Sequence, residues 1–247
     1  MPDSLFGSDT DEERDGRSTA PAQPSPQGTV ASCTPPPIPG LYLFRDALPL
    51  EMQHTLTEQL AEKVWVGHSD QVMLFDGPSG TSLPSYLDPL LQALPAILAP
   101  LPSSLRALVF HSTQPRQAIL NLYFPGQGIS PHVDLPRRYE DGIVGISLLS
   151  STVMDFAPVS PRADEPVKTY SVRLRPGDVY VLSGEARWNW THGIAYREED
   201  LVEDDGHTGE MLRVRRGVRM SITLRRMKEG AELIGPADNA VDSGDND

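Results

Sequence analysis

His132 and Asp134 stand two residues apart in Gly126-Gln127-Gly128-Ile129-Ser130-Pro131-His132-Val133-Asp134. In an extended segment side chains alternate, so the imidazole and the carboxylate leave from the same side and can reach one ion. His192, in Trp190-Thr191-His192-Gly193-Ile194 after a β-rich run, supplies a third donor. Two imidazoles and a carboxylate form a facial set that binds iron(II) and leaves coordination positions open. Alone, a His-x-Asp pair also fits an ordinary polar turn. A second cluster sharpens the reading. Arg219 and Arg225 are six residues apart in Arg219-Met220-Ser221-Ile222-Thr223-Leu224-Arg225, a spacing that puts both on one face of a strand. Inward-facing guanidinium groups need anions, and a dicarboxylate fits because Arg grips a carboxylate with a bidentate fork. The alternative is a basic surface strand, with Arg213, Arg215, Arg216 and Arg226 nearby.

These residues need a rigid frame. From residue 115 onward the chain runs through QAILNLYF, IVGISLL, TVMDF, YSVRLR, DVYVLSG and VRMSITLRR, each bounded by Gly, Pro, Asp or Ser. Such short β-rich runs predict an antiparallel sandwich or jelly roll. Upstream, Leu50, Leu56, Leu60 and Val64 recur at helical spacing, predicting a helix over 49–63, and a second is expected over 85–97 with Ser85 as its cap. Between them SDQVMLFDGPSG reads as a short hairpin or lid. Residues 1–38 are acidic and Pro-rich and are expected to be a disordered tail. Residues 39–228 form the domain, and residues 229–247 form a second acidic tail. The insert from Glu198 to Glu210 reads as a mobile loop in which His207 is solvated.

The formal charge is −13, but residues 1–18 carry −4, 198–210 carry −7 and 229–247 carry −6, so the rest carries +4. A mildly basic body with acidic extremities is compatible with nucleic acid. Arg137, Arg138, Arg187, Arg213, Arg215 and Arg216 border the candidate metal motifs and could track a phosphate backbone, or could balance the acidic insert. Cys33 is the only cysteine, which excludes an intramolecular disulfide and a thiolate metal cluster and favours the cytoplasm or nucleus. The first residues carry neither a secretory nor a mitochondrial signal, and no apolar run is long enough to span a bilayer, so no membrane association is expected.

Asn121-Leu122-Tyr123-Phe124-Pro125-Gly126, then His132 and Asp134, then Gly177-Asp178-Val179 through Gly184-Glu185-Ala186-Arg187 to His192-Gly193-Ile194, then Arg219 and Arg225, follow one another in order. In this the chain resembles the AlkB-type dioxygenases, strongly over 115–227 and loosely over 40–114. The resemblance implies a mainly β fold with flanking helices and a double-stranded β-helix (jelly roll) core. It implies that His132, Asp134 and His192 hold Fe(II), and that Asn121, Tyr123, Arg219 and Arg225 bind 2-oxoglutarate, with Ser221 and Thr223 lining that strand. The implied chemistry consumes O2 and 2-oxoglutarate and oxidises a substrate C–H bond, ending in hydroxylation or demethylation.

Tyr139 through Leu148, Val153-Met154-Asp155-Phe156 and the approach to His192 resemble most the AlkB branch that modifies wobble uridines in tRNA. No segment resembles that branch's RNA-recognition motif, so a separate RNA-binding partner is an expectation. Pro136 stands where bacterial AlkB has a base-contacting Asp, and Leu182 where it has a stacking Trp, so the methylated-base pocket is incomplete. Trp188, Trp190 and Tyr139 could compensate but read first as packing. RNA or tRNA is therefore expected over alkylated DNA. A methyl-lysine demethylase and a non-catalytic jelly-roll binding module are the competing classes.

Overall fold

Alternating inward and outward side chains in the runs after residue 115 become strands on two facing antiparallel sheets. The computed structural model describes residues 30–65, 70–76, 82–111, 113–161, 166–204 and 210–231. The major sheet contains β1 (Leu41–Phe44), β2 (Gln71–Phe75), β3 (Arg116–Tyr123), β5 (Ile143–Leu148), β8 (Val179–Leu182) and β12 (Arg219–Arg226), in the order β1-β8-β5-β12-β3-β2. The minor sheet holds β4 (Ile129–His132), β6 (Thr152–Pro158), β7 (Tyr170–Leu174) and β9 (Trp190–Ile194), in the order β4-β9-β6-β7. A hairpin of β10 (Glu199–Glu203) and β11 (Met211–Arg215) stands apart as a two-stranded sheet. This is the expected mainly β jelly roll with flanking helices.

Three helices cover the outer face of the major sheet: α1 (Leu50–Lys63), α2 (Asp88–Ile97) and α3 (Ser103–Val109). Leu56 and Leu60 lie four residues apart and share the buried stripe of α1, while Lys63 sits at the negative end of its dipole. The expected Ser85 cap does not form: Ser85–Leu87 is a 3-10 turn, and it leads into α2 with Pro at its start. Leu90 and Leu94 of α2 and Leu105 of α3 join Leu120, Ile146 and Ile222 in the larger core cluster. A second cluster fills the space between the sheets, with Met154, Phe156, Val172, Tyr180 and Leu182.

Strand β12 explains how one segment serves both regions. Met220, Ile222 and Leu224 point into the helical layer, whereas Arg219, Ser221, Thr223 and Arg225 point between the sheets. A fourth, short helix, α4 (Gly184–Trp188), leads straight into β9 and so sets the approach to His192.

Further expectations are corrected. Within the proposed tail, Ala31 and Ile38 are buried: Ala31 bonds to Leu201 and Glu203 of β10, and is followed by Ser32, which bonds to Ser171 and Arg173 of β7. These backbone bonds splice the hairpin to the edge of the minor sheet; residues 1–29 lie outside the described residues. Glu199–Glu203 of the acidic insert form a hairpin strand rather than a loop, and β10 alternates, with Asp200 and Val202 turned inward; residues 205–209, His207 among them, lie outside the described residues. The segment read as a hairpin or lid is β2, an edge strand paired to β3, while residues 77–81 lie outside the described residues. At the other end Ala231 is still buried, and 232–247 lie outside the described residues.

Candidate active site

Strand pairing brings the metal-ligand candidates together. His132 on β4 is the direct Cα partner of His192 on β9, and their rings are 4.4 Å apart between centroids. Gly193 permits this approach, since a Cβ there would stand 2.9 Å from the Pro131 nitrogen. Asp134 follows two residues after His132, on the same side. Donor atoms of His132, Asp134 and His192 all lie within 4.8 Å of one another.

Hydrogen bonds leave the right atoms free for an ion. The Nδ1 of His132 lies 2.9 Å from the Ser130 carbonyl, which leaves Nε2 as the available donor. Asp134 Oδ1 accepts from Arg225 Nη1 at 2.5 Å, while its buried Oδ2 has no hydrogen-bond partner among the described residues and lies 3.4 Å from His192 Nε2. A buried carboxylate oxygen without a donor is costly unless a cation meets it. The three residues therefore fit a divalent metal on the structure's own terms. Burial alone would raise the Asp134 carboxyl, but Arg225 and the two imidazoles outweigh it and hold it below the usual carboxylate range. Burial, then the neighbouring His132, pushes His192 down to about 4, so its imidazole is neutral and able to coordinate.

The triad opens into a cavity of about 340 Å³ between the sheets, within the range of small-molecule sites. Arg219, Ser221, Thr223 and Arg225 line it from β12, and Asn121 and Tyr123 from β3. Every site residue read from the sequence is thus in one cavity. Arg219 is 4% exposed. Its Nε donates to Ser147 Oγ at 3.2 Å and its guanidinium lies over the Tyr123 ring, but no carboxylate among the described residues pairs with it. Tyr180 crosses the floor because position 145 is glycine: a Cβ there would meet the Tyr180 ring at 2.0 Å. Burial pushes the Tyr180 hydroxyl up to about 12, so it stays protonated.

Some participants escaped the sequence reading. Gln71 and Met73 on edge strand β2 line the cavity, and Gln71 Nε2 donates to Asn121 Oδ1 at 2.8 Å, fixing the asparagine amide. Only the alternation of β2 hinted at them. Arg187, expected to contact phosphate, is instead 2% exposed and donates to the carbonyls of Asp134, Tyr139 and Glu140. Arg216 is likewise occupied: it forms a two-pronged pair with buried Asp200, both contacts at 2.7 Å. Arg213 and Arg215 are exposed on the hairpin, and Arg215 pairs with Glu199. Arg137 is exposed, and it and Arg138 follow the cavity-lining Leu135. Tyr139 is buried beneath Arg225, Trp188 sits between Arg187 and Lys228, and Trp190 packs on Tyr170, so none of the three aromatics enters the cavity.

Residues 42–225 match the 2OG-Fe(II) oxygenase superfamily. The chain is 36% identical over 132 residues to the Xenopus tropicalis protein named tRNA (carboxymethyluridine(34)-5-O)-methyltransferase alkbh8, covering 50% of this chain and 20% of that one. It is 35% identical over 108 residues to the mouse alpha-ketoglutarate-dependent dioxygenase alkB homolog 7, mitochondrial, covering 44% of this chain and 42% of that one. The chain thus spans less than half the length of either relative. A prolyl hydroxylase from Trichoplax adhaerens, solved with a hypoxia inducible factor peptide fragment, shares the fold at a TM-score of 0.50 and 11% identity, over 80% of this chain and 88% of that one. With the metal-ligand cluster, the inward arginines and the match over 42–225 all in the same jelly roll, the chain belongs to the 2OG-Fe(II) oxygenase superfamily, among its AlkB-type dioxygenases, whose cofactors are Fe(II), 2-oxoglutarate and O2.

Proposed function

We propose that the chain oxidises a C–H bond of a nucleic-acid substrate, RNA in preference to alkylated DNA. In this reading His132, Asp134 and His192 hold the metal, and Asn121, Tyr123, Arg219, Ser221 and Arg225 receive 2-oxoglutarate. The observation that carries the cosubstrate assignment is Arg219, a buried guanidinium without a carboxylate partner among the described residues, in the cavity that holds the triad. A buried cation of this kind is stable only when an anion joins it. Bound together, iron(II) and 2-oxoglutarate would activate O2, with decarboxylation to succinate supplying two electrons.

The protein's own groups prepare that chemistry. Arg219 offers a bidentate fork to one carboxylate. Gln71 holds Asn121 Oδ1 and so turns the amide NH2 away from itself as a donor. Arg225 keeps Asp134 ionised, and Met73, Ile129 and Leu135 give the mouth apolar walls that limit water.

The nucleic-acid reading draws support from the lip of the cavity. Phe75, 39% exposed, continues the face of Gln71 and Met73 and lies under the guanidinium of Arg138, with exposed Arg137 beside it. An exposed ring flanked by cations suits a stacked base and its phosphates. The tRNA named in the Xenopus relative supports RNA, and a separate RNA-binding partner would extend this short lip. The test is succinate formation by iron-loaded protein with RNA, methylated DNA oligonucleotides or histone peptides as separate stimulants. RNA is expected to stimulate most; stimulation by peptide alone would replace the substrate class and leave the cofactor site standing.

A further inference from the structure

Behind the active-site cavity lies a second one, of about 170 Å³, between the helical layer and the end of the major sheet. Leu91 and Leu94 of α2, Phe110 beyond α3 and Leu224 of β12 give it apolar walls. Arg116, Arg225 and Arg226 also line it. Arg116 and Arg226 are direct cross-strand partners at the ends of β3 and β12. Like charges placed so are destabilising on their own. Among the described residues Arg226 donates to neutral acceptors, the carbonyls of Val109 at 3.1 Å and Gln114 at 2.6 Å. Among the described residues Asp76 is the acid whose charge reaches both arginines, one negative charge against two positive ones. Burial first, then the charge of Arg116, pushes Arg226 down to about 10, the direction expected where positive charge is under-compensated. Arg225 lines both cavities; it gives Nη1 to Asp134, but its buried Nε has no hydrogen-bond partner among the described residues.

A cavity this size is specific about what it can hold. An apolar void of about 150 Å³ takes one benzene molecule, so this one has room for a single ring or a short alkyl chain bearing a small charged group. We propose that the rear cavity binds a small organic monocarboxylate, its apolar body against Leu91, Leu94 and Leu224 and its carboxylate between Arg116 and Arg226. This site is separate from that of 2-oxoglutarate and takes an anion with one charged end. Its occupant sits one side chain, Arg225, away from Asp134.

The test is calorimetric titration of benzoate into the full chain loaded with manganese(II) and saturating 2-oxoglutarate, which fills the active-site carboxylate positions. One benzoate per chain is expected to bind. Arg226→Met should weaken it about tenfold, the effect of losing one charge-assisted hydrogen bond. Leu91→Phe removes the space without touching a charge and should weaken it by at least as much. Toluene, which has the ring without the carboxylate, should bind about tenfold more weakly than benzoate. Absence of benzoate binding, equal binding in Leu91→Phe, or toluene binding as tightly as benzoate would each overturn the proposal. If Arg226→Met does not fold, Leu91→Phe and toluene decide it.

Discussion

Asp134 is the residue on which the site turns, because its two oxygens have different duties: Oδ1 is committed to Arg225, and Oδ2 is left for the metal. Replacing a metal donor and disturbing that ion pair are therefore separable. His132→Ala removes a half-exposed imidazole without unpairing a buried charge, so metal binding and succinate formation should vanish while the melting temperature of the metal-free protein changes little. Asp134→Asn should also abolish turnover, but it leaves the Arg225 charge buried and unmatched, costing about 3–5 kcal/mol in urea unfolding. His192 makes a pH prediction for the metal-free protein. Its pKa is depressed in the folded state to about 4, so the unfolded chain takes up a proton first, near pH 6.5. Stability from this group is then complete above pH 6.5 and is lost as pH falls towards 4, amounting to about 3 kcal/mol. Urea midpoints should fall across that window and flatten in His192→Gln. A midpoint unchanged from pH 7 to pH 4.5 would contradict the buried neutral imidazole. The triad was legible because His-x-Asp and a distal His, ambiguous on their own, fall in order with the Asn121–Gly126 motif and the Arg219–Arg225 strand. Arg187 was misread for the opposite reason: sequence displays its charge but not the three carbonyls, contributed by residues 134–140, that consume its donors.

At the scale of elements, β12 carries the proposed cosubstrate face, and its reading rested on alternation together with the AlkB-type resemblance. Arg219→Lys keeps the charge but loses the planar fork. The Kd for 2-oxoglutarate should rise about tenfold or more in isothermal titration, with metal affinity unchanged, because the triad is on β4 and β9 and the connection after β4. The β10–β11 hairpin was not legible, and its reason is physical. Seven acids in the 198–210 segment look like a solvated loop, yet Asp200 is drawn inward by Arg216 and Arg197 and also accepts the Val153 backbone N–H. Residues 30–33 complete the splice, and so short a run, Val30-Ala31-Ser32-Cys33, gave no periodicity to detect, since the bonds that Ala31 and Ser32 make to β10 and β7 are backbone bonds. Asp200→Asn should thus destabilise the fold by about 3–5 kcal/mol, far more than a charge in a mobile loop could. Chemical denaturation distinguishes the two. Edge strand β2 was half legible: its apolar character was visible, but pairing with β3, which turns Gln71 and Met73 into the cavity, depends on a partner some fifty residues away.

For the molecule as a whole, the sign of the net charge misleads. The −13 total is dominated by segments at the two ends and by the 198–210 stretch, whereas the lip of the cavity presents Arg137 and Arg138. If RNA binds across this lip, affinity should fall steeply with salt, because each phosphate neutralised by an arginine releases counterions from the strand. For single strands the slope of log affinity against log salt is about −0.7 per phosphate contact. Reversing Arg137 and Arg138 together to Glu should therefore flatten the slope by about 1.4 and raise the RNA concentration needed for half-maximal succinate formation. Turnover of 2-oxoglutarate without RNA should persist, since neither residue lines the cavity. Arg213 and Arg215 provide the internal comparison: they are exposed on the hairpin, with Arg215 already paired to Glu199, and their reversal should change the slope less. A slope unaltered by the lip variant, but flattened by the hairpin variant, would move the RNA path from the mouth at Phe75 to the outer face of β11.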